Sequence, residues 1–311
     1  MAIVRRSRPL ILLMKGMDPQ VLDRKITDIS PEWVDRYLTH KMSNPIPSLP
    51  VRLFRYLENE FDRLSHPCSV VSVDELLDCV NLLMDSDRLG KRAVVIGCGP
   101  KPDTIRELSD AGYRVFGIEP LDDGIRQAKE YLKGTSEVLK GKAEKIPLET
   151  NSQSLILMEN VLEHVDSVPV TLSEAYRVIQ PGGLLFVRTT NRLRFSITGI
   201  NWEFTTRFYN WFPQAVKESY VFTQLHYRPE LAHYSPRPAV HWFSFSNLCR
   251  LGRAAGFARF YSPYDLLYLA KRASTNPIRF RFRHWCRKQP WLRAIAISQM
   301  FGDIFMHKRQ E

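Results

Sequence analysis

Chemistry first shows in the spacing of two small groups of residues. Gly97-Cys98-Gly99 directly follows the apolar run Ala93-Val94-Val95-Ile96, and Glu119 closes the next apolar run, Tyr113 to Ile118. Two glycines one residue apart let a chain turn sharply out of a buried strand and admit a ligand against main-chain atoms. An acidic side chain at the next strand end can accept both hydroxyl protons of a ribose. Gly-x-Gly alone is as well explained by a tight strand-to-helix turn. In register with a strand and Glu119, it predicts a site for a nucleoside-containing ligand.

A dinucleotide site needs a third glycine and main-chain N–H groups aimed at a pyrophosphate. Here Pro102 holds the third glycine position, and Pro100 and Pro102 both lack an N–H. A loop short of donors is a poor diphosphate cradle. It suits a ligand without phosphate, such as S-adenosylmethionine.

The elements that must position these residues follow from periodicity. The first ninety residues read as helical: 31–38 has Pro31 in a first turn, 51–64 repeats apolar residues at helical spacing, and Ser72-Val73-Asp74-Glu75 is a capping box opening a segment that Gly90 ends. After Gly90, short apolar runs at 93–96, 113–118, 154–158 and 184–189 alternate with helical patterns at 104–111, 122–133 and 168–179. That alternation predicts a doubly wound, mostly parallel α/β sheet with helices on both faces and a ligand site at the strands' carboxyl ends. From 192 to about 243 the pattern dissolves into an aromatic insert near the C-terminal strands, too long for an ordinary connection. A helix then returns from Ser244 to Ala255. The expected division is a helical extension over 1–90, a core with its insert over 91–270, and a basic aromatic extension over 271–311.

Composition sets the outer bounds. The chain has 311 residues, 44% apolar and 25% charged, enough to bury a full core and too apolar for disorder. Cys68, Cys79, Cys98, Cys249 and Cys286 lack CxxC spacing, so neither a disulfide framework nor a metal site is expected. No apolar run has spanning length and none resembles a secretory signal, so the chain reads as soluble and cytoplasmic. Its net charge of +11 is uneven: residues 192–311 hold 19 of the 44 Lys/Arg but 6 of the 33 Asp/Glu, and 25 of the 35 aromatics.

In combination these motifs resemble a known family. Residues 91–191 are similar to the class I S-adenosylmethionine-dependent methyltransferase core, in its small-molecule branch that includes ubiquinone-type O-methyltransferases. The resemblance rests on Val94 to Pro100, on Phe116-Gly117-Ile118-Glu119-Pro120, on Gly141 to Pro147, on Ile156 to Val165 with its Leu-Glu-His-Val ending, and on Glu174 to Gly183 with its Pro-Gly-Gly turn. His241 to Ser244 and Leu248 to Phe257 resemble the entry to the last helix and strand. The resemblance implies a Rossmann-like fold with S-adenosylmethionine as cofactor. Gly97, Cys98 and Gly99 would line its methionine and ribose part. Glu119 would take the ribose hydroxyls, Pro120 and Leu121 would lie against the adenine, Ala143 and Glu144 at its edge, and Glu159 and Asn160 beside it on the fourth loop. Val95, Lys101 and Lys142 depart from the acid, small residue and Asp often found there, which keeps open a degenerate, non-catalytic cofactor-binding or scaffolding protein.

The sulfonium is already an activated methyl donor, so a base matters only where the acceptor must lose a proton. His164, beside the fourth strand, and His241, at the insert's end, are the candidate catalytic residues; for either, backbone bonding or packing is the commoner role. The insert's aromatics, from Trp202 to Tyr234, predict a lid over an apolar acceptor or a second hydrophobic core. The expected function is methyl transfer to a small or lipid-linked acceptor at oxygen, with an RNA methyltransferase as the other enzymatic reading. The basic, aromatic tail suggests peripheral contact with a membrane ahead of nucleic acid, because no RNA-binding signature accompanies it.

Overall fold

The computed structural model describes residues 72–191, 193, 212, 213, 216, 241–270, 285, 287–299 and 302–310. The chain divides into two units, Met1–Phe61 with Phe195–Trp242 and Asp62–Arg194 with Phe243–Glu311. Every element below belongs to the second. The expected helices over 31–38 and 51–64, most of the aromatic insert, and the basic stretch 271–284 lie outside the described residues.

Helix α1 (Val73–Leu83) starts as its capping box predicts, with the Glu75 N–H donating to Ser72 Oγ at 3.3 Å. Its apolar residues recur at helical spacing, so Val73, Leu76, Cys79 and Val80 are buried together. The segment does not run unbroken to Gly90. It breaks after Met84, and a short α2 (Ser86–Leu89) restarts because the Asp85 carboxylate accepts the Arg88 N–H at 3.1 Å.

The core then alternates strand and helix: β1 (Arg92–Ile96), α3 (Asp103–Asp110), β2 (Arg114–Glu119), α4 (Asp122–Leu132), β3 (Glu137–Lys140), β4 (Gln153–Glu159), α5 (Val168–Val178) and β5 (Ile179–Arg188). After the insert come α6 (Phe245–Ala255), β6 (Arg259–Tyr261), α7 (Pro263–Ala270), α8 (Pro290–Gln299) and β7 (Ile304–His307). The seven strands lie in the order β3-β2-β1-β4-β5-β7-β6. All neighbours are parallel except β7, which is antiparallel to both β5 and β6.

Both faces of the sheet are covered, and the pleat assigns side chains alternately to two cores. Val95, Leu155, Leu157, Leu184, Phe186 and Phe305 face one core with residues of α1, α3, α4 and α7. Val94, Ile96, Ile156, Met158, Leu185, Ile304 and Met306 face the other with residues of α5 and α6. The sheet is doubly wound as expected, but two expected boundaries cut through it. Helix α1, placed in the N-terminal extension, packs into the first core. Strand β7, placed in the C-terminal extension, is an interior strand between β5 and β6.

One cation explains how the end of the chain is held there. Lys308 is only 8% exposed, and its ammonium donates to Asn151 Oδ1 at 2.8 Å and to the carbonyls of Tyr176 and Ile179 at 2.9 and 2.8 Å. It thereby satisfies carbonyl groups at the end of α5 that the helix itself leaves unpaired. An ammonium with three acceptors can be buried where a bare one cannot.

Candidate functional site

Strand order reverses between β1 and β4. From β1 the sheet runs outward through β2 and β3, and from β4 outward through β5. The connections leaving β1 and β4 therefore go to opposite faces and open a crevice at the strands' carboxyl ends. Gly97 to Pro102, Glu119 and the residues after Glu159 stand at that end.

The loop after β1 is held by main-chain bonds to β2: the N–H groups of Gly97 and Cys98 both donate to the Ile118 carbonyl, at 2.8 and 3.2 Å. Gly97 and Gly99 each adopt φ of 65°, a conformation that favours glycine. Their surroundings differ. A Cβ on Gly97 would lie 2.6 Å from Val161 Cγ2, so this glycine makes room for the loop after β4. A Cβ on Gly99 would meet nothing within 4 Å, so Gly99 is where the turn presents main chain to open space.

Glu119, 7% exposed, closes the other wall. Its Oε2 accepts the Gly99 N–H at 3.1 Å and its Oε1 the Leu121 N–H at 3.2 Å. Helix α4 begins so close that a Cβ on Gly124 would sit 2.9 Å from Glu119 Cγ. The carboxylate is thus fixed by main chain on both sides, and it presents acceptor oxygens only. An adenosyl group fits this donor set: a ribose diol needs an acceptor and no phosphate-binding N–H array. Leu121 is 47% exposed beside it, an apolar side chain at the crevice that would otherwise be costly to leave in water.

The Cys98 side chain is half-buried. Its Sγ turns toward Gly117, where a Cβ would come within 2.9 Å of it, and it packs on the first core. Burial and then the Glu119 charge push its thiol up to about 12, so it stays protonated and is no nucleophile.

The Gly141–Pro147 loop reaches the same end through Gly141, whose N–H donates to the Glu119 carbonyl at 3.2 Å. Ala143 is 6% exposed and lies in the second core. Glu144 Oε1 accepts the Asp166 N–H at 2.8 Å, which ties this loop to the one after β4. Below it, Glu174 and Arg177 hold the backbone of Ile146 and Leu148, and the hydrogen bonds from Arg177 and then from the Ile146 N–H keep the Glu174 carboxyl below its usual range.

At the end of β4, Asn160 takes φ of 53° and its N–H donates to the Arg188 carbonyl at 2.9 Å. The Glu159 carboxylate is shared: Oε1 takes the Arg188 guanidinium at 3.1 Å and Oε2 the Thr104 hydroxyl at 3.4 Å. Arg188 also grips Asp303 with two parallel bonds of 3.1 and 3.2 Å. Burial alone would lower the Arg188 pKa, but the charges of Asp303, Glu159 and Glu75 raise it. This ladder links the ends of β4 and β5 to the residue before β7 and to the first turn of α3. Sequence reasoning missed Arg188, Asp303 and Thr104, since no motif joins residues 115 positions apart.

His164 is half-buried, and its main-chain N–H donates to the Val161 carbonyl at 2.9 Å. His241 is half-buried and falls in the first unit. Glu163, between Leu162 and His164, was also missed. It is 1% exposed, its carboxylate accepts the Thr189 hydroxyl at 2.7 Å, and burial pushes it up to about 7. Among the described residues no cluster of three or more His, Cys, Asp or Glu is placed to hold a metal ion. Among the same residues, no helix is long and apolar enough to cross a membrane.

Residues 94–187 match the family described as methyltransferase domain. Over 116 residues the chain is 31% identical to the human mitochondrial ubiquinone biosynthesis O-methyltransferase, covering 35% of this chain and 31% of that one. Over 143 residues it is 26% identical to a Mycolicibacterium smegmatis protein described as a probable S-adenosylmethionine-dependent methyltransferase, covering 46% and 47%. The chain spans less than half the length of these curated relatives. Among solved structures, an S-adenosylmethionine-dependent methyltransferase from Mesorhizobium loti matches over 70% of this chain and 90% of that one, with a TM-score of 0.44 and 14% identity.

Proposed function

Starting from residues 94–187 as a methyltransferase domain of the class I, S-adenosylmethionine-dependent kind, we propose that the chain transfers a methyl group to oxygen on a small or lipid-linked acceptor. The observation that carries this reading is the Glu119 carboxylate held 3.1 Å from the Gly99 nitrogen at the point where strand order reverses. Relatives named for O-methyl transfer in ubiquinone biosynthesis support the choice of oxygen.

When bound, S-adenosylmethionine supplies a methyl group already activated on a sulfonium. The work left to the chain is binding and alignment, which bring most of the rate in such displacements. Glu119 would accept the ribose hydroxyls, with Gly97, Cys98 and Gly99 lending main chain and Pro120, Leu121, Ala143 and Glu144 enclosing the adenine. Glu159 and Asn160 would stand beside it, held by Arg188. A hydroxyl acceptor must lose its proton, and His164 is the base proposed to take it. We also propose a cytoplasmic location, with peripheral contact at a membrane.

Calorimetric titration with S-adenosylhomocysteine tests the crevice, and labelled methyl donor incubated with quinone, lipid, glycan and RNA extracts tests the acceptor. Label in the quinone or lipid fraction is the expected result. Label in RNA alone would overturn the acceptor, and binding without any transfer would leave a cofactor-binding scaffold.

A further inference from the structure

We infer that the outward face of α8 is a docking surface for an anionic lipid membrane. The helix is anchored by polar groups on one side. Arg293 grips Asp265 at the start of α7 with bonds of 3.2 and 2.5 Å, and Arg287, just before α8, reaches the same carboxylate at 3.0 Å. At the other end, Asn191 Nδ2 donates to the carbonyls of Ile297 and Ser298 at 3.3 and 3.1 Å. These ties fix which way the helix faces.

What it turns outward is apolar. Trp291 is 61% exposed and Ile295, one turn further along the same face, 53%; Ala294 beside them is exposed too. A large aromatic and a branched aliphatic side by side in water are a costly arrangement for a surface helix. The exposed Lys288 precedes them by one turn. The surrounding sequence says what covers the face: from Leu266 to Gly302 there are eight Lys or Arg and no Asp or Glu. Asp265 takes two of those eight cations, Arg287 and Arg293, which leaves a sequence excess of six in a stretch with nothing acidic. An interfacial helix combines those two properties, its apolar side chains entering the acyl boundary while its cations meet lipid headgroups. Tryptophan is favoured at that boundary because its ring is apolar at one end and polar at the other.

The position of α8 gives the docking a consequence. Asn191 lies three residues beyond the end of β5, so α8 meets the sheet at its carboxyl ends, the same end as Glu119 and the crevice. A membrane under α8 would bring that mouth to the lipid surface. The inference itself needs no methyl donor, and its test is independent of transfer.

The full chain would be co-sedimented with vesicles of phosphatidylcholine alone and of phosphatidylcholine with phosphatidylglycerol, at graded salt. Binding is expected to the anionic vesicles only. The Trp291→Ser/Ile295→Ser double variant should bind them about tenfold more weakly or worse, since two apolar side chains no longer enter the lipid. Lys288→Glu should weaken binding more at low salt than at high salt. Both variants change exposed side chains, so an unaltered melting temperature confirms that folding is intact. Anionic-vesicle binding that survives the double variant unchanged would overturn the inference, as would no binding to either vesicle. A single-stranded RNA that binds more tightly than the vesicles, with the double variant unaffected, would reassign the face to nucleic acid and equally overturn it.

Discussion

The Glu119 carboxylate and the Gly99 N–H meet at 3.1 Å, so the turn after β1 and the end of β2 are locked together before any ligand arrives. The same carboxylate takes the Leu121 N–H on its other oxygen. A glutamine there would turn an NH2 group toward one of two N–H donors and leave it unsatisfied. Glu119→Gln should therefore weaken S-adenosylhomocysteine binding about tenfold, and Glu119→Ala about a hundredfold, by titration calorimetry. Unchanged affinity in both would remove Glu119 from the ligand site.

The two glycines of the turn should respond differently to a methyl group. Both sit at φ of 65°, which costs an alanine roughly 1–2 kcal/mol. Gly97→Ala adds a clash, with a Cβ 2.6 Å from Val161 Cγ2. Gly99→Ala meets open space, so its stability loss should stay near the backbone cost while ligand affinity falls. Urea unfolding should show Gly97→Ala as the less stable of the two, and adding Val161→Ala should recover part of that difference without touching the φ cost.

The crevice was legible because its parts are local. Gly97, Gly99 and Glu119 declare themselves through strand ends a helix apart, and the alternating apolar runs announce the sheet. Three strands were not legible. Strand β3 is four residues with only Val138 buried, and β6 is three residues with none buried, so neither carries a period-2 signal. Strand β7 is hidden for another reason: its residues are flanked by Lys308 and Arg309 in a stretch that reads as basic tail. Lys308, however, spends its charge on three internal acceptors, and Arg287 and Arg293 spend theirs on Asp265. Composition counts cations without revealing which are already partnered. The Arg188 ladder escaped for the same reason, since its partners are distant in sequence.

Glu163 makes a pH prediction. Its folded-state value, about 7, lies above the ordinary 4.5 because burial disfavours the anion. Between those values the folded chain holds more protons than the unfolded one, so stability falls as pH rises through the window and levels off above it. The contribution is on the order of 3 kcal/mol. Glu163→Gln keeps an acceptor for the Thr189 hydroxyl and carries no charge. The variant should be the more stable protein at about pH 8 and should lack this decline in denaturant titrations across the window. Parallel pH dependence in the two proteins would show that Glu163 does not titrate there.

The Arg188 ladder separates stability from positioning. Asp303, with a fully buried side chain, holds Arg188 by two bonds, and Arg188 in turn holds Glu159. Asp303→Ala leaves the buried Arg188 with only the Glu159 carboxylate, and breaking a buried pair from one side costs up to about 3–5 kcal/mol. Replacing both partners, Arg188→Met with Asp303→Leu, removes the half-paired charge and should cost less, because an ion pair often does no better than apolar groups of similar size. Glu159 then loses its guanidinium and keeps only the Thr104 hydroxyl at 3.4 Å. If the ladder serves to aim Glu159 into the crevice, the double variant should unfold near the wild-type denaturant midpoint yet bind S-adenosylhomocysteine several-fold more weakly. Equal affinity at equal stability would confine Arg188 to holding β5 against the segment that leads into β7.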